Sequence, residues 1–379
     1  MHITETRLTP SRLELIRPLK TARATYTVRE GFLVRLMDEE GRVGLGEAMP
    51  LPEFGTESLE TCEHVLRSHL KALLDQVMSD NLDAIEDAFM FPRGDPSQWR
   101  GVRLRVEEDL PEAPAADHAV ELALLDLLAQ RREIPLSRLL DRAARSEVWV
   151  NALLTAEDPR ELAEEARQAV AEGYRTLKLK VAGRPLDEDE ARVRAVREAV
   201  GTEVNLRLDA NGGWSEREAL QAVERLGAYG LELCEQPVAP DDLRGLWRLQ
   251  RRASFPLAAD EALASPEAIP MLLGGAADRM PAARVFVLKP MVLGGLLPAL
   301  LFARQAAQRG LGAFVTSSLD GVVSRAGAAH LAAALPSGKL ASGLGVGRLF
   351  KMNDPAEDIY RPVGGRIVLP DAPGLGLPR

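Results

Sequence analysis

The sequence predicts an α/β chain in two parts: an α+β domain over about residues 1–145 and a closed parallel β/α barrel over 146–345. Three observations predict it. From Glu147 onward, eight short apolar stretches alternate with helical ones, which implies a parallel sheet. Five charged residues, Lys180, Asp209, Glu235, Asp260 and Lys289, end successive stretches at intervals of 29, 26, 25 and 29 residues, about one strand plus one helix. Residues that recur at the end of each unit converge on one mouth of a barrel, where such folds carry their chemistry. An open doubly wound sheet gives no reason for that recurrence, and no G-x-G-x-x-G follows the first strand.

Residues 1–50 read as β. Gly31–Met37 and Arg42–Ala48 flank Asp38-Glu39-Glu40-Gly41, a hairpin signal. Thr56–Asp75 switches to helical spacing, with Leu59, Val65, Leu66 and Leu70 on one face. Pro92–Pro114, rich in Pro, Gly and charge, reads as loop, and His118–Leu140 as a helix. The predicted barrel strands are Val148–Ala152, Thr176–Lys180, Val204–Asp209, Leu233–Gln236, Pro256–Asp260, Arg284–Lys289, Gly312–Thr316 and Leu340–Gly343. Helices are expected at Asp158–Glu172, Asp187–Val200 and Glu216–Tyr229. The tail, 346–379, has short apolar pieces among Pro and Gly and is expected to pack back on the first domain.

Composition narrows the function. The 379 residues carry a formal charge of −9 and are 46% hydrophobic and 27% charged. A large core can be filled, while nucleic acid and anionic membranes are disfavoured as partners. No apolar run is long enough to span a bilayer, so no membrane association is expected. Residues 1–16 show no basic region followed by an apolar core, and Cys62 and Cys234 lie far apart. A reduced, cytoplasmic protein with free thiols is expected.

Asp209, Glu235 and Asp260 are the candidate metal ligands. One carboxylate from each of three neighbouring strands offers hard oxygens with other positions open, which suits Mg²⁺ and also Mn²⁺. No histidine falls in these motifs, since the five are His2, His64, His69, His118 and His330; that argues against zinc. Taken singly, Asp209 before Ala-Asn-Gly-Gly reads as a turn residue; the set of three favours the metal. Lys178 and Lys180 share one face of a strand by the period of two. Their mutual repulsion, a nearby cation and burial would each favour the neutral amine, a base at working pH. Lys289 ends an apolar strand on the far side of the metal.

The motifs LKLKV (177–181), LDANGGW (208–214), EQPV (235–238), ADEAL (259–263) and LKPMVLGG (288–295) together resemble the enolase superfamily, in its muconate-lactonizing branch. The resemblance runs from GLGEAMPLP to the seventh strand. It implies a (β/α)₇β modified TIM barrel under an α+β capping domain built from the N-terminal region and the tail. It also implies Mg²⁺ on Asp209, Glu235 and Asp260, with Lys180 and Lys289 on opposite faces of the substrate. Lys178 is then an electrostatic neighbour of Lys180, and Asn211 and Glu261 support the ligands. The shared chemistry is proton abstraction next to a carboxylate, giving an enediolate that the metal holds. The substrate is therefore expected to be a small carboxylate.

Within the branch, MPLPEFGTES (49–58), TSSLDGVVSRAGAAHLAAAL (316–335) and SGLGVGRLF (342–350) resemble the o-succinylbenzoate synthases. That implies dehydration of 2-succinyl-6-hydroxy-2,4-cyclohexadiene-1-carboxylate in menaquinone biosynthesis. Thr316, Ser317 and Ser318, with the N–H groups of a following helix, would seat a second carboxylate. The alternative is an N-succinylamino acid racemase, in which the two lysines alternate as base and acid. Asp320-Gly321 departs from the Glu-Ser of many relatives. No acidic residue falls in 342–348, which lowers the dipeptide-epimerase and muconate-cycloisomerase readings.

Overall fold

The computed structural model describes residues 1–20, 25–74, 110–274, 280–351 and 358–378. The chain opens on an antiparallel sheet of β1 (Ile3–Lys20), β2 (Thr25–Asp38) and β3 (Val43–Ala48), with β2 between the other two. The predicted hairpin joins β2 to β3. Asp38 closes it, its Oδ1 accepting from the N–H of Glu40 at 3.0 Å and of Arg42 at 2.8 Å. Helix α1 (Leu59–Leu74) buries Cys62, Val65, Leu66, Leu70 and Leu73, whereas Leu59, at its first position, stays exposed.

Helix α2 (Pro114–Arg131) is the post between the two parts, and 15 of its residues are buried. It starts earlier than expected: Pro114 suits a first helical turn, where no N–H is needed. The Glu57 carboxylate caps it from across the fold, accepting from Ala115 at 3.1 Å and Ala116 at 2.9 Å. It also ends earlier, because Pro135 cannot continue a helix, and the short α3 (Leu136–Leu140) follows separately. The predicted Pro92–Pro114 loop lies outside the described residues up to 109.

The second part is a parallel sheet in the order of the chain: β5 (Ala152–Leu154), β6 (Thr176–Lys180), β7 (Asn205–Asp209), β8 (Leu233–Glu235), β9 (Leu257–Ala259), β10 (Val285–Leu288) and β11 (Gly312–Val315). Its helices are α4 (Pro159–Ala171), α5 (Leu186–Val200), α6 (Glu216–Leu226), α7 (Leu243–Gln250), α8 (Ile269–Leu272), α9 (Leu296–Gln308) and α10 (Val322–Ala334). The eighth predicted strand shrinks to two bridges, Ser342 on Val150 and Gly343 on Thr316, and these close the barrel. The result is a modified TIM barrel of (β/α)₇β form with an N-terminal capping region.

One predicted strand divides. Residues 147–149 form β4 (Glu147–Trp149), which pairs antiparallel with β12 (Arg366–Val368) in the tail, and the first barrel strand begins only at Ala152. The tail also pairs elsewhere. Lys351 donates to the Glu14 carbonyl at 2.8 Å, and Gly374 exchanges backbone bonds with Leu136 and Ile134 at 2.9 and 3.0 Å. The apolar core is continuous from β2 and α2 into the barrel.

Candidate active site

Parallel register sets the site. Lys180 pairs with Asp209 and Asp209 with Glu235, so three charged residues lie in one row at the ends of β6, β7 and β8. Asp260 follows β9, Lys289 follows β10, and both are buried. Counting the closing segment at 342–343, β6 and β10 are four strands apart in either direction, so their lysines sit on opposite sides of the mouth.

The carboxylates face the ammonium groups. Lys178 Nζ lies 2.9 Å from Asp209 Oδ2 and 2.5 Å from Glu235 Oε2. Lys180 Nζ lies 3.3 Å from Asp209 Oδ2 and donates to Asn211 Oδ1 at 2.5 Å. Lys289 Nζ lies 2.5 Å from Asp260 Oδ1 and 4.6 Å from the centre of the Phe54 ring. Burial pulls Lys178 down, but the charges of Asp209, Glu235 and Asp260 outweigh it and hold the group above the ordinary lysine range. Lys289 is raised in the same way, against burial, by Asp260 and Glu261. At Lys178 three carboxylates outweigh burial and one lysine neighbour. Asp209 is held well below the carboxylate range, Lys178 and Lys180 overcoming its burial. Burial raises Glu235 and Asp260 despite Lys178 and Lys289.

The residues around the carboxylates are positioned by the turns they belong to. Asn211 adopts φ 44°, the left-handed conformation that an asparagine tolerates. From there its N–H reaches Asp209 Oδ1 at 3.1 Å, and its amide reaches Glu261 Oε1 at 3.0 Å. Gln236, at φ 35°, accepts from the N–H groups of Asp260 at 3.0 Å and Ala262 at 3.2 Å, fixing the turn that presents Asp260.

The donor set suits a hard cation: all oxygens, from three adjacent strands. Glu235 Oε1 is buried with no partner, an acceptor left over in the middle of the row. Among the described residues, no three acidic, cysteine or histidine side chains gather closely enough to enclose an ion, since the lysines stand between them.

An open cavity lies over this row. Leu51, Phe54, Tyr174, Val346 and Leu349 line it with apolar surface, and Thr316, Ser317 and Ser318 add hydroxyls. The hydroxyls of Thr316 and Ser317 donate to the Gly343 carbonyl at 3.1 and 3.5 Å, and Ser318 Oγ is buried without a partner. The expected helix start does not reach the cavity. Helix α10 begins only at Val322, and its Ser324 N–H is taken by Glu47 at 2.8 Å.

Residues 3–141 match the family described as Mandelate racemase / muconate lactonizing enzyme, N-terminal domain, and residues 161–378 match the Enolase C-terminal domain-like family. The chain belongs to the enolase superfamily. It lies in the branch of muconate-lactonizing enzymes, racemases and epimerases. The N-succinyl-L-Arg/Lys racemase of Bacillus cereus is 28% identical over 88% of this chain and 84% of its own length. The L-Ala-D/L-Glu epimerase of Clostridium acetobutylicum is 30% identical over 96% of this chain and 95% of its own. The dipeptide epimerase of Enterococcus faecalis V583, solved with Mg and the dipeptide L-Leu-L-Tyr, superposes with a TM-score of 0.80 at 26% identity, covering 99% of both chains. Mg²⁺ is thus a cofactor known within this superfamily.

Lys178, Lys180, Asp209, Asn211, Asp260, Lys289, Thr316, Ser317 and Ser318 line this cavity, and Glu235 lies buried beside Asp209 in the same row. Gln236, Phe54 and Tyr174 were missed as individuals. Gln236 follows Glu235 directly and Phe54 lies in the MPLPEF loop, so both sat inside quoted motifs. Tyr174 carries no local signal, since only barrel closure brings it to the cavity.

Proposed function

We propose that this chain is a Mg²⁺-dependent racemase or epimerase of N-acylated amino acids, with N-succinylamino acids as its substrate class. The observation that carries it is the placement of Lys180 and Lys289 on diametrically opposed strands. Lys180 takes the proton next to the substrate carboxylate from one face, and Lys289 returns a proton to the other. Each lysine serves as base for one enantiomer. A bound Mg²⁺ supplies positive charge against the negative charge that develops on the carboxylate, and Asp209, Glu235 and Asp260 would hold it; Mn²⁺ should substitute. Lys178 orients Asp209 and Glu235 and keeps the row compact. Asn211 holds Lys180, and Thr316, Ser317 and Ser318 line the seat of the acyl arm. Residues 1–145 and the tail 346–379 form the cap, and 146–345 the catalytic barrel.

The racemase named among the relatives supports this reading, and the absence of acids in 342–348 argues against a substrate with a free amino group. A second reading is the o-succinylbenzoate synthase dehydration, favoured by the 49–58 and 316–335 segments. There Lys180 alone would transfer the proton and assist departure of the hydroxyl, while Lys289 would only stabilise charge.

One experiment separates the two. Wild type, Lys180→Ala and Lys289→Ala are incubated with Mg²⁺ in D₂O with N-succinylamino acids, and separately with the cyclohexadiene substrate. Racemisation should fall by a factor of about 10³ or more in both variants, and chelation by EDTA should abolish it reversibly. If deuterium never enters the α-position while o-succinylbenzoate forms rapidly, the racemase reading is wrong and the synthase stands.

A further inference from the structure

Arg29, on β2 of the cap, is only 5% exposed and, among the described residues, has no carboxylate within ion-pair distance. It is spent instead on three backbone carbonyls from two separate loops. Its Nη2 donates to Met49 at 2.6 Å, its Nη1 to Pro50 at 3.1 Å and its Nε to Leu319 at 3.4 Å. A guanidinium offers a planar fork of donors, and a lysine could not span three acceptors in this way.

Both loops are walls of the active-site cavity. The first carries Leu51 and Phe54, the latter stacked over Lys289. The second carries Ser317, Ser318 and Leu319. Leu319 adopts φ 62°, a left-handed conformation that costs a non-glycine residue free energy and persists only where the surroundings impose it. Its side chain packs on Leu15, Tyr26, Leu51 and Phe350, which come from the cap, its loop and the tail. Next to it, Asp320 accepts from the Ser318 N–H at 2.9 Å, while its Oδ1 is buried without a partner. The barrel alone therefore does not hold this segment in place.

We propose that Arg29 is a positioning residue that clasps the two loops together, so that the cavity takes its shape only when the capping sheet is docked on the barrel. It touches no reacting atom; its effect passes through the Leu319 carbonyl to Ser317 and Ser318, and through Met49 and Pro50 to Phe54. The proposal goes beyond the reaction assigned above and rests on it only in taking this cavity as the substrate site.

The test uses the full chain with Arg29→Met and Arg29→Lys, and with Arg131→Met as a control. Arg131 binds Asp38 and Glu39 at the far end of the β2–β3 hairpin, away from the cavity. Hydrogen–deuterium exchange needs no substrate. In Arg29→Met, uptake should rise in both 49–55 and 316–321, with the β6–β9 strands unchanged. For an N-succinylamino acid that wild type turns over, KM should rise by roughly 10-fold or more while kcat changes by less than about 3-fold. Arg29→Lys should fall between Met and wild type in both readouts, and Arg131→Met should match wild type. Faster exchange confined to 49–55, or a loss of kcat at unchanged KM, would overturn the clasp. If wild type turns over no such substrate, the racemase reading fails while the exchange data still decide the clasp.

Discussion

At the residue scale, the legible part was the ionic row. Lys180, Asp209, Glu235, Asp260 and Lys289 stood out because barrel periodicity repeats them. What spacing did not reveal was their pairing, which depends on distances across strands. Beneath the cavity, Glu47 and Asp320 form a second buried acidic pair that the mechanism leaves unused. Burial pushes Glu47 up to about 7, against the lowering N–H of Ser324, and the nearby Asp320 adds to the rise. Burial likewise pushes Asp320 to about 6, opposed by the Ser318 N–H and by Arg29 and Arg325. Between about pH 4 and 6 both acids favour the protonated form in the folded state, whereas the unfolded chain would release the proton. Their stabilisation is therefore complete below about pH 4 and is lost as pH rises through about 6 for Asp320 and about 7 for Glu47, on the order of 3 kcal/mol each. Urea midpoints at pH 5 and pH 8 should show this, with Glu47→Gln reducing the difference between the two. An unchanged difference in the variant would mean that Glu47 is ionised throughout.

At the element scale, the hairpin, α1 and most barrel strands were legible because each shows its own period. The mesh between β3 and α2 was not, although both partners are simple. Gly44 and Gly46 stand two apart on one face of β3, and Ala119 and Ala123 stand four apart on one face of α2. A Cβ on Gly44 would lie 2.1 Å from the Ala123 carbonyl oxygen, and one on Gly46 1.8 Å from that of Ala119. Strand and helix backbones therefore touch without side chains between them. Gly46→Ala must separate them and should destabilise by about 1–3 kcal/mol or more, seen as a lower urea midpoint; a midpoint equal to wild type would show that the backbones can part freely. The same helix explains two acids buried in an apolar run. Glu121 accepts from the first N–H groups of α9, at Leu296 and Leu297, while Asp126 accepts from Leu45 and Leu375.

At the scale of the whole molecule, the tail ties cap to barrel. It pairs with β4, meets β1, and satisfies α2 through the bond from Leu375 to Asp126 at 2.8 Å. Ending the chain after Gly365 would strip β4 of its partner and leave the Asp126 carboxylate, 0% exposed, short of a donor. Removing one partner of a buried polar group is costly, so this truncation should lower the melting temperature by roughly 5 °C or more. It should also weaken docking of the cap; unaltered melting would show that the tail is an ornament. The sequence by itself determined the alternation of strand and helix, the closed barrel and the row of charges, because periods of 2 and 3.6 and a repeat of one strand plus one helix are local properties of a chain. Only the tertiary structure decided the caps, the partner of β4, the way Lys178 is held charged and the three carbonyls that Arg29 joins. Each of those depends on donors and acceptors far apart in the chain, which no local pattern encodes.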